Sequence, residues 1–348
     1  MRKTAATSTH QAMHEADLVS DLVSLETFRS ESLLVASGDP LFSAAKLLLL
    51  GHNACFIGRP GSGKSARCSA LLNEKNYPLL LQGSPLAKLE VVIFWTTVDL
   101  IPMVTASEVH YEYRQQEQSG HWQKHLTGLD AFIDQYGYKD RAQFEMAEEE
   151  RQAVLQTSTG RLVLHLVWLD DFDRVSEPGL LNAALRQIED HRHELSNGEV
   201  RWLNLQALGT SNSGVGKPGR QCLGATGLDR AMADRFILFT SPTFNPEPVL
   251  NHEFPGYEPF IHRLTQLTTD VEKRLLEGEF ASLGEVGMRS LRPAVKGHVL
   301  AGMNEVEAAQ LLFGGLTDEQ EALRAQDLVA RYFGRHAARA GLFDHHPS

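Results

Sequence analysis

The residues with the clearest chemical potential are the eight of GRPGSGKS, at positions 58–65. They fit the pattern G-x-x-x-x-G-K-[S/T], in which glycines let backbone N–H groups turn inward around phosphate oxygens. Lys64 would add a positive charge for the outer phosphates, and the Ser65 hydroxyl suits Mg²⁺. The motif therefore predicts a site for ATP with Mg²⁺. The candidate nucleotide-contacting residues are Gly58, Arg59, Pro60, Gly61, Ser62, Gly63, Lys64 and Ser65.

A pair of aspartates closes the apolar run in LVLHLVWLDDFDR, residues 162–174. Asp170 ends the predicted strand, where a phosphate-loop site needs a carboxylate to hold magnesium through water. Asp171 is predicted to polarise the water that attacks the γ-phosphate. Asp173 is expected to cap the following loop or helix. Clustered aspartates usually mark a surface turn, and the GRPGSGKS motif is what favours the magnesium role here.

Polar residues farther along the chain extend this set. The predicted strand that ends in GTSN carries Thr210 and Asn212 towards the acidic strand end, where the Asn212 amide would orient the attacking water. Arg230 and Arg235 lie in LDRAMADRF, and Arg235 suits donation into the site of a neighbouring subunit. Arg292, in SLRP, suits sensing of the γ-phosphate. Taken singly, each arginine also fits an ordinary surface position.

The elements that must position these residues follow an α/β pattern. A strand, a glycine-rich loop and a helix succeed one another around GRPGSGKS, and the later alternation of strands and helices is typical of a parallel sheet. Asn197-Gly198 predicts a hairpin with a type I′ turn. The predicted helices are at 40–50, 65–72 and 177–192, and the predicted strands are at 54–57, 77–82, 162–169, 203–212 and 233–240.

Changes in this pattern divide the chain into regions. The fold class that they predict is α/β, with a parallel P-loop NTPase sheet and a C-terminal α-helical lid domain. The predicted regions are a polar N-terminal segment at 1–40, the α/β core at 41–244 with an insertion at about 95–160, the helical lid at 245–312 and a helical tail at 313–348.

Composition narrows the class of protein. The 348 residues carry a formal net charge of −11, which disfavours a dedicated nucleic-acid coat, although a local basic face stays open. No apolar run is long enough to span a membrane, and the first twenty residues lack the apolar core of a secretory signal, so we expect a cytoplasmic protein. The three cysteines share no metal-ligand spacing, so neither a disulfide framework nor a zinc site is predicted.

Over roughly residues 40–300 the chain resembles the AAA+ ATPases, and among them the MoxR-like group with a hairpin before the first sensor. The resemblance rests on GRPGSGKS, LVWLDDFDRVSEPGLLNAALRQIEDHRHELSNGEV, LQALGTSN, LDRAMADRF and SLRP. It implies that Gly58–Ser65 and Asp170 bind ATP with Mg²⁺. It also implies that Asn212 is the first sensor, Arg235 the arginine finger and Arg292 the second sensor.

Two departures from the family's pattern bear on activity. The family usually has Asp-Glu where this chain has Asp170 and Asp171, so the second carboxylate is one methylene shorter. We therefore expect slow ATP hydrolysis, and we expect Asp171→Glu to raise it. The separation of Lys64 from Asp170 is also longer than usual because of the insertion, where we expect the specific function to reside.

Three functions are consistent with these motifs. The resemblance implies a ring oligomer, which we expect to be a hexamer, that remodels a protein partner such as a von Willebrand A-domain protein. The alternative is a nucleotide-switched, DNA-associated ATPase of transposition or phage defence, against which the acidic balance weighs. A small-molecule kinase is the third, and it would leave the sensor-like strand, the arginines and the lid unexplained.

Overall fold

The computed structural model describes residues 22–27, 32–58, 61–99, 111–115, 122–126, 128–174, 185–212, 230–241, 246–280, 283 and 286–334. The chain divides into two compact units. Unit 1 comprises residues 1–59 and 63–242, and unit 2 comprises residues 60–62 and 243–348. Each is described by itself below.

Unit 1 contains the strands and the phosphate-loop helix. Its elements are β1 (Leu22–Glu26), β2 (Ser32–Ala36), α1 (Pro40–Leu49), β3 (Ala54–Ile57), α2 (Lys64–Leu71), α3 (Tyr77–Leu80), β4 (Leu89–Asp99), β5 (Tyr111–Gln115), β6 (Trp122–Leu126), α4 (Gly128–Tyr136), α5 (Arg141–Thr157), β7 (Gly160–Asp170), β8 (Arg192–Glu194), β9 (Val200–Trp202), β10 (Leu205–Ser211), α6 (Arg230–Ala233) and β11 (Ile237–Thr240).

Five strands form the central sheet, in the order β11-β3-β10-β7-β4, and every neighbouring pair is parallel. One strand, β10, therefore separates the strand before the glycine-rich loop from the strand that carries the aspartates. Among the described residues, three two-stranded antiparallel sheets accompany the central sheet: β1–β2, β5–β6 and β8–β9. The β1–β2 hairpin lies within the segment predicted as polar, and Leu25, Leu33 and Val35 are buried in the core beside the sheet.

Alternation along β7 shows how the sheet is buried on both faces. Leu164 and Leu166 pack into a core that also contains residues of α1 and α2, whereas Val167 and Leu169 pack into a second core with residues of α4. Successive side chains of a strand point to opposite faces, so a nearly continuous apolar run is needed when both faces are covered. The apolar part of the run that ends at Asp170 is therefore explained by its central place in the sheet.

Two local predictions are wrong. Residues 77–80 form α3 rather than a strand: Tyr77, Leu80 and Leu81 are buried at helical spacing, and Pro78 suits a first helical turn. The β8–β9 hairpin exists, but its turn is not type I′, because Gly198 has a positive φ of 86° and Asn197 does not. Leu195 N–H donates to the Glu199 carbonyl oxygen at 2.8 Å, which leaves residues 196–198 as a three-residue connection, and Gly198 N–H donates to the Leu195 carbonyl oxygen at 2.8 Å.

Unit 2 is helical wherever its described residues form regular structure. Its elements are α7 (Glu247–Glu253), α8 (Glu258–Glu277), α9 (Met288–Ala301), α10 (Glu305–Gln310) and α11 (Glu319–Phe333), with a 3₁₀ turn at Leu311–Phe313. They enclose their own apolar core. The predicted fold class, an α/β P-loop sheet with a helical C-terminal part, is confirmed. Among the described helices, none has both the length and the apolarity needed to cross a bilayer.

Candidate nucleotide-binding site

The glycine-rich loop leaves β3 at the carboxyl edge of the sheet and leads into α2. Gly61 and Gly63 have positive φ values of 77° and 80°, which an L side chain adopts only with strain. Gly63 is also the N-cap of α2, and a Cβ atom there would meet Arg67 Nη1 at 3.0 Å. The loop thus presents backbone N–H groups at a helix N-terminus, the arrangement that binds phosphate. Arg59 and Pro60 lie outside the described residues.

A buried ion pair holds α2 in place. Arg67 donates to the two carboxylate oxygens of Asp39 at 2.6–3.2 Å and to Ser241 Oγ at 3.2 Å. Asp39 also caps α1 by accepting from the Leu41 N–H at 3.0 Å. Sequence reasoning missed this pair because Arg67 and Asp39 are 28 residues apart and neither belongs to a motif. Arg67 therefore joins the phosphate-loop helix to α1 and to the residue after β11.

Lys64 is the first residue of α2, and its ammonium group is directed back towards the loop. Nζ donates to the Gly58 carbonyl oxygen at 3.0 Å and to Asn212 Oδ1 at 2.8 Å. The residue is buried, with 5% of its surface exposed. Lys64 and Asn212 are 148 positions apart in sequence, and the fold brings these two candidate site residues into contact.

Ser65 and Asp170 meet where the sequence places the magnesium ligands. Ser65 Oγ donates to Asp170 Oδ1 at 3.1 Å. The same Asp170 oxygen accepts from Thr210 Oγ1 at 2.6 Å. Hydroxyl and carboxylate oxygens are the ligands that Mg²⁺ prefers, and Mg²⁺ usually keeps several waters and substrate phosphates in its shell. The two residues present fit that role, and Ser65 and Asp170 would hold the ion.

Magnesium here would depend on the nucleotide. Within the described ranges, no group of three or more His, Cys, Asp or Glu side chains forms a metal site by itself. Phosphate oxygens and water would therefore supply the remaining ligands, as is usual for Mg²⁺ in nucleotide sites.

Asp171 adopts an uncommon backbone conformation. Its φ is +47°, in the left-handed region, which Asp tolerates better than most residues other than glycine. Its N–H donates to Thr210 Oγ1 at 2.7 Å, and its Oδ1 accepts from Asn212 Nδ2 at 2.7 Å. Because Asn212 gives its amide N–H to Asp171 and accepts from Lys64, the orientation of its side chain is defined.

Asp173 contacts the end of β10. It lies inside the 3₁₀ turn Phe172–Arg174 and is buried, with 3% of its surface exposed. Its Oδ2 accepts from the backbone N–H of Asn212 at 3.1 Å, and among the described residues Oδ1 has no hydrogen-bond partner. Asp173 therefore fixes the backbone at the end of β10. The residues that follow it at 175–184, which it is predicted to cap, lie outside the described residues.

The two arginines of LDRAMADRF lie away from this cluster. Arg235 comes two residues before β11, whose first residue, Ile237, pairs with Ala54 at the start of β3. Arg235 is therefore at the amino edge of the sheet, whereas the glycine-rich loop leaves the carboxyl edge. Its Nε donates to Glu189 Oε2 at 3.2 Å, and Arg230 is exposed at the start of α6.

Arg292 belongs to unit 2. It lies in the first turns of α9, where its guanidinium makes two parallel hydrogen bonds to Glu253 at the end of α7, at 2.6 and 3.0 Å. This fork-to-carboxylate geometry orients the guanidinium group.

Comparisons with known proteins give little beyond these contacts. No protein-family model matches the chain, and no curated protein matches it. Among solved structures, it is similar to a candidate ATPase from Cytophaga hutchinsonii, with 11% sequence identity and a TM-score of 0.33. The similarity covers 92% of this chain and 78% of the other.

Proposed function

We propose that this protein binds ATP with Mg²⁺ and hydrolyses it slowly as an oligomeric AAA+ ATPase of the MoxR-like kind, and that it remodels or activates a protein partner. The observation that carries the proposal is the hydrogen-bonded cluster at the carboxyl edge of the sheet. It joins Lys64 and Ser65 of the glycine-rich loop segment to Asp170 and Asp171 of β7 and its exit, and to Asn212 after β10.

Each side chain of the cluster has a chemical role in hydrolysis. Lys64 would neutralise charge on the β- and γ-phosphates. Ser65 and Asp170 would hold Mg²⁺, which supplies charge stabilisation as the phosphoryl group transfers. Asp171 accepts a hydrogen bond from Asn212. The two side chains would orient a water molecule, and the Asp171 carboxylate would accept its proton.

The expected slowness has a structural rationale in Asp171. Its carboxylate is short, and one of its oxygens accepts from the Asn212 amide at 2.7 Å. A side chain with one more methylene would reach farther from the same backbone position.

The position of Arg235 supports the oligomeric part of the proposal. Within its own unit 1, the four residues of β11 lie between it and the carboxyl edge, a span of roughly 13 Å at about 3.3 Å per residue. An arginine finger at that place would serve the site of a neighbouring subunit, as fingers supplied in trans do. A ring is the closed arrangement in which every site receives one.

Mixing two inactive variants tests this function. Lys64→Ala removes the phosphate charge but keeps the finger, and Arg235→Ala keeps the site but removes the finger. At equal amounts, about a quarter of the interfaces would pair an intact site with an intact finger. We expect each variant alone to lose at least about 100-fold in ATP turnover, and the mixture to regain a measurable fraction of it.

Two controls make the result specific. Mixing Lys64→Ala with the Lys64→Ala, Arg235→Ala double variant should regain nothing. Arg186→Ala, which removes an exposed arginine in the helix that also carries Glu189, should keep wild-type turnover. Failure of the wild-type protein to bind or hydrolyse ATP would refute the ATPase, and failure of the mixture alone would refute the shared site.

A further inference from the structure

Thr210 contributes a fully buried hydroxyl to the cluster. The residue has 0% of its surface exposed and lies in β10, between β3 and β7. Its Oγ1 is 2.7 Å from the Asp171 backbone nitrogen and 2.6 Å from Asp170 Oδ1. A backbone N–H can only donate, so Oγ1 accepts there and gives its own hydrogen to the Asp170 carboxylate. The direction of both hydrogen bonds is thereby defined.

The two bonds act on two different aspartates. The bond to Asp170 is charge-assisted and short, so it orients the carboxylate oxygen that also faces Ser65. The bond from the Asp171 N–H satisfies a backbone group in the turn where φ is +47°. A left-handed conformation at a residue other than glycine persists only where its surroundings stabilise it. One oxygen atom therefore constrains the carboxylate of Asp170 and the backbone of Asp171.

A simpler explanation of the Thr210 contacts is that its hydroxyl only stabilises the core. Thr268 is such a residue: it is buried in α8, and its hydroxyl donates to the carbonyl oxygens of Leu264 and Thr265 at 3.2 and 2.7 Å. These partners belong to its own helix. The partners of Thr210 are a candidate magnesium ligand and the backbone of a candidate base, so its loss should affect metal use as well as stability.

We propose that Thr210 is a positioning residue, whose hydroxyl sets Asp170 for the divalent cation and Asp171 for water. The inference rests on the proposed function. It predicts that metal binding depends on Thr210 more than nucleotide binding does, because Lys64 is held by Gly58 and Asn212 rather than by Thr210. Loss of a residue that orients a metal ligand typically lowers metal affinity 10–100-fold.

The experiment compares Thr210→Val, which keeps the shape and removes the hydroxyl, with Thr210→Ser, which keeps the hydroxyl. A fluorescent ADP analogue is titrated in EDTA, and Mn²⁺ binding to the ADP complex is followed by electron paramagnetic resonance. For Thr210→Val we expect the metal-free nucleotide Kd to stay within about twofold of wild type, and the Mn²⁺ Kd to rise about tenfold or more. Thr210→Ser should restore the Mn²⁺ Kd to within about threefold.

The possible outcomes distinguish the positioning role of Thr210 from the proposed ATPase function. A Thr210→Val protein with wild-type Mn²⁺ affinity, or with equal losses in both titrations, would overturn the positioning role alone. A wild-type protein without metal-dependent nucleotide binding would overturn the proposed function and this inference with it. Thr268→Val, the matched control, should lower stability and leave both Kd values unchanged. If Thr210→Val does not fold, Thr210→Cys, with a weaker donor, takes its place with the same expected rise.

Discussion

The carboxyl-edge cluster and Asn53 at the amino edge of the central sheet use polar side chains in different ways. At the carboxyl edge, side chains bind side chains: Lys64 to Asn212, Ser65 to Asp170, and Asn212 to Asp171. At the amino edge, Asn53 binds only backbone in its described contacts, donating to the Arg235 carbonyl oxygen at 3.1 Å and accepting from the Ala207 N–H at 2.8 Å.

The contacts at the carboxyl edge can be replaced by contacts to a ligand, whereas the contacts of Asn53 are structural. The Asn53 side chain links the residue before β3 to Arg235, which precedes β11, and to Ala207 in β10. Both hydrogen bonds stabilise the sheet. The contacts at the carboxyl edge join groups that a phosphate, a metal ion or water could each engage instead. Substitutions in the carboxyl-edge cluster should therefore change turnover, whereas substitution of Asn53 at the amino edge should change stability.

The largest expected effect is at Asp171. Asp171→Asn keeps the shape and removes the proton acceptor, so we expect ATP turnover to fall by about 100-fold or more with ATP affinity retained. Asp171→Glu should raise turnover above wild type, while the left-handed φ of +47° makes it about 1 kcal/mol less stable. Steady-state hydrolysis and urea unfolding measure the two effects. Unchanged or lower turnover in Asp171→Glu would show that side-chain length is not what limits the rate.

Asn53→Ala tests the opposite edge. Two backbone groups lose their partner, so we expect the free energy of unfolding to fall by about 2 kcal/mol, with ATP turnover per folded molecule unchanged. His52→Ala, at the neighbouring exposed position, should leave both quantities unchanged. A loss of turnover without a loss of stability in Asn53→Ala would remove the distinction between the two edges.

A third effect belongs to the middle of the sheet and depends on pH. His165 stacks on Phe94 and packs against the tilted ring of Tyr136, and burial lowers its pKa from 6.5 to about 4. Between those values the unfolded chain binds a proton that the folded protein does not. This residue's share of stability is therefore complete above about pH 6.5 and falls by about 1.4 kcal/mol per pH unit towards pH 4.

His165→Phe keeps the stacking and removes the proton. Urea unfolding between pH 7 and pH 4 should show a slope lower by about one proton than wild type. His193, whose pKa is also lowered to about 4 by burial, still contributes in that variant. Equal slopes in the two proteins would show that His165 is protonated in the folded state.

Much of the site could be predicted from the sequence because its parts are short and local. GRPGSGKS specifies glycines and a lysine within eight residues, and an apolar run that stops at aspartates marks a strand end. The same reasoning gave a wrong prediction for residues 77–82. The apolar residues of YPLLLQ fit helical and strand spacing alike, and only tertiary packing determines which of the two forms. The sequence predicts that Thr210 lies near the acidic strand end, but it does not predict the two hydrogen bonds of its hydroxyl.

By itself, the sequence determined the phosphate loop, the acidic strand end and the succession of α/β and helical regions, since each is written in contiguous residues. Tertiary structure alone decided that β10 lies between β3 and β7 and so brings Thr210 and Asn212 to the aspartates. It also decided the pairing of Arg67 with Asp39 and the left-handed turn at Asp171. The physical reason is that strand order and buried hydrogen bonds join residues far apart in the chain, and no local pattern records such partners.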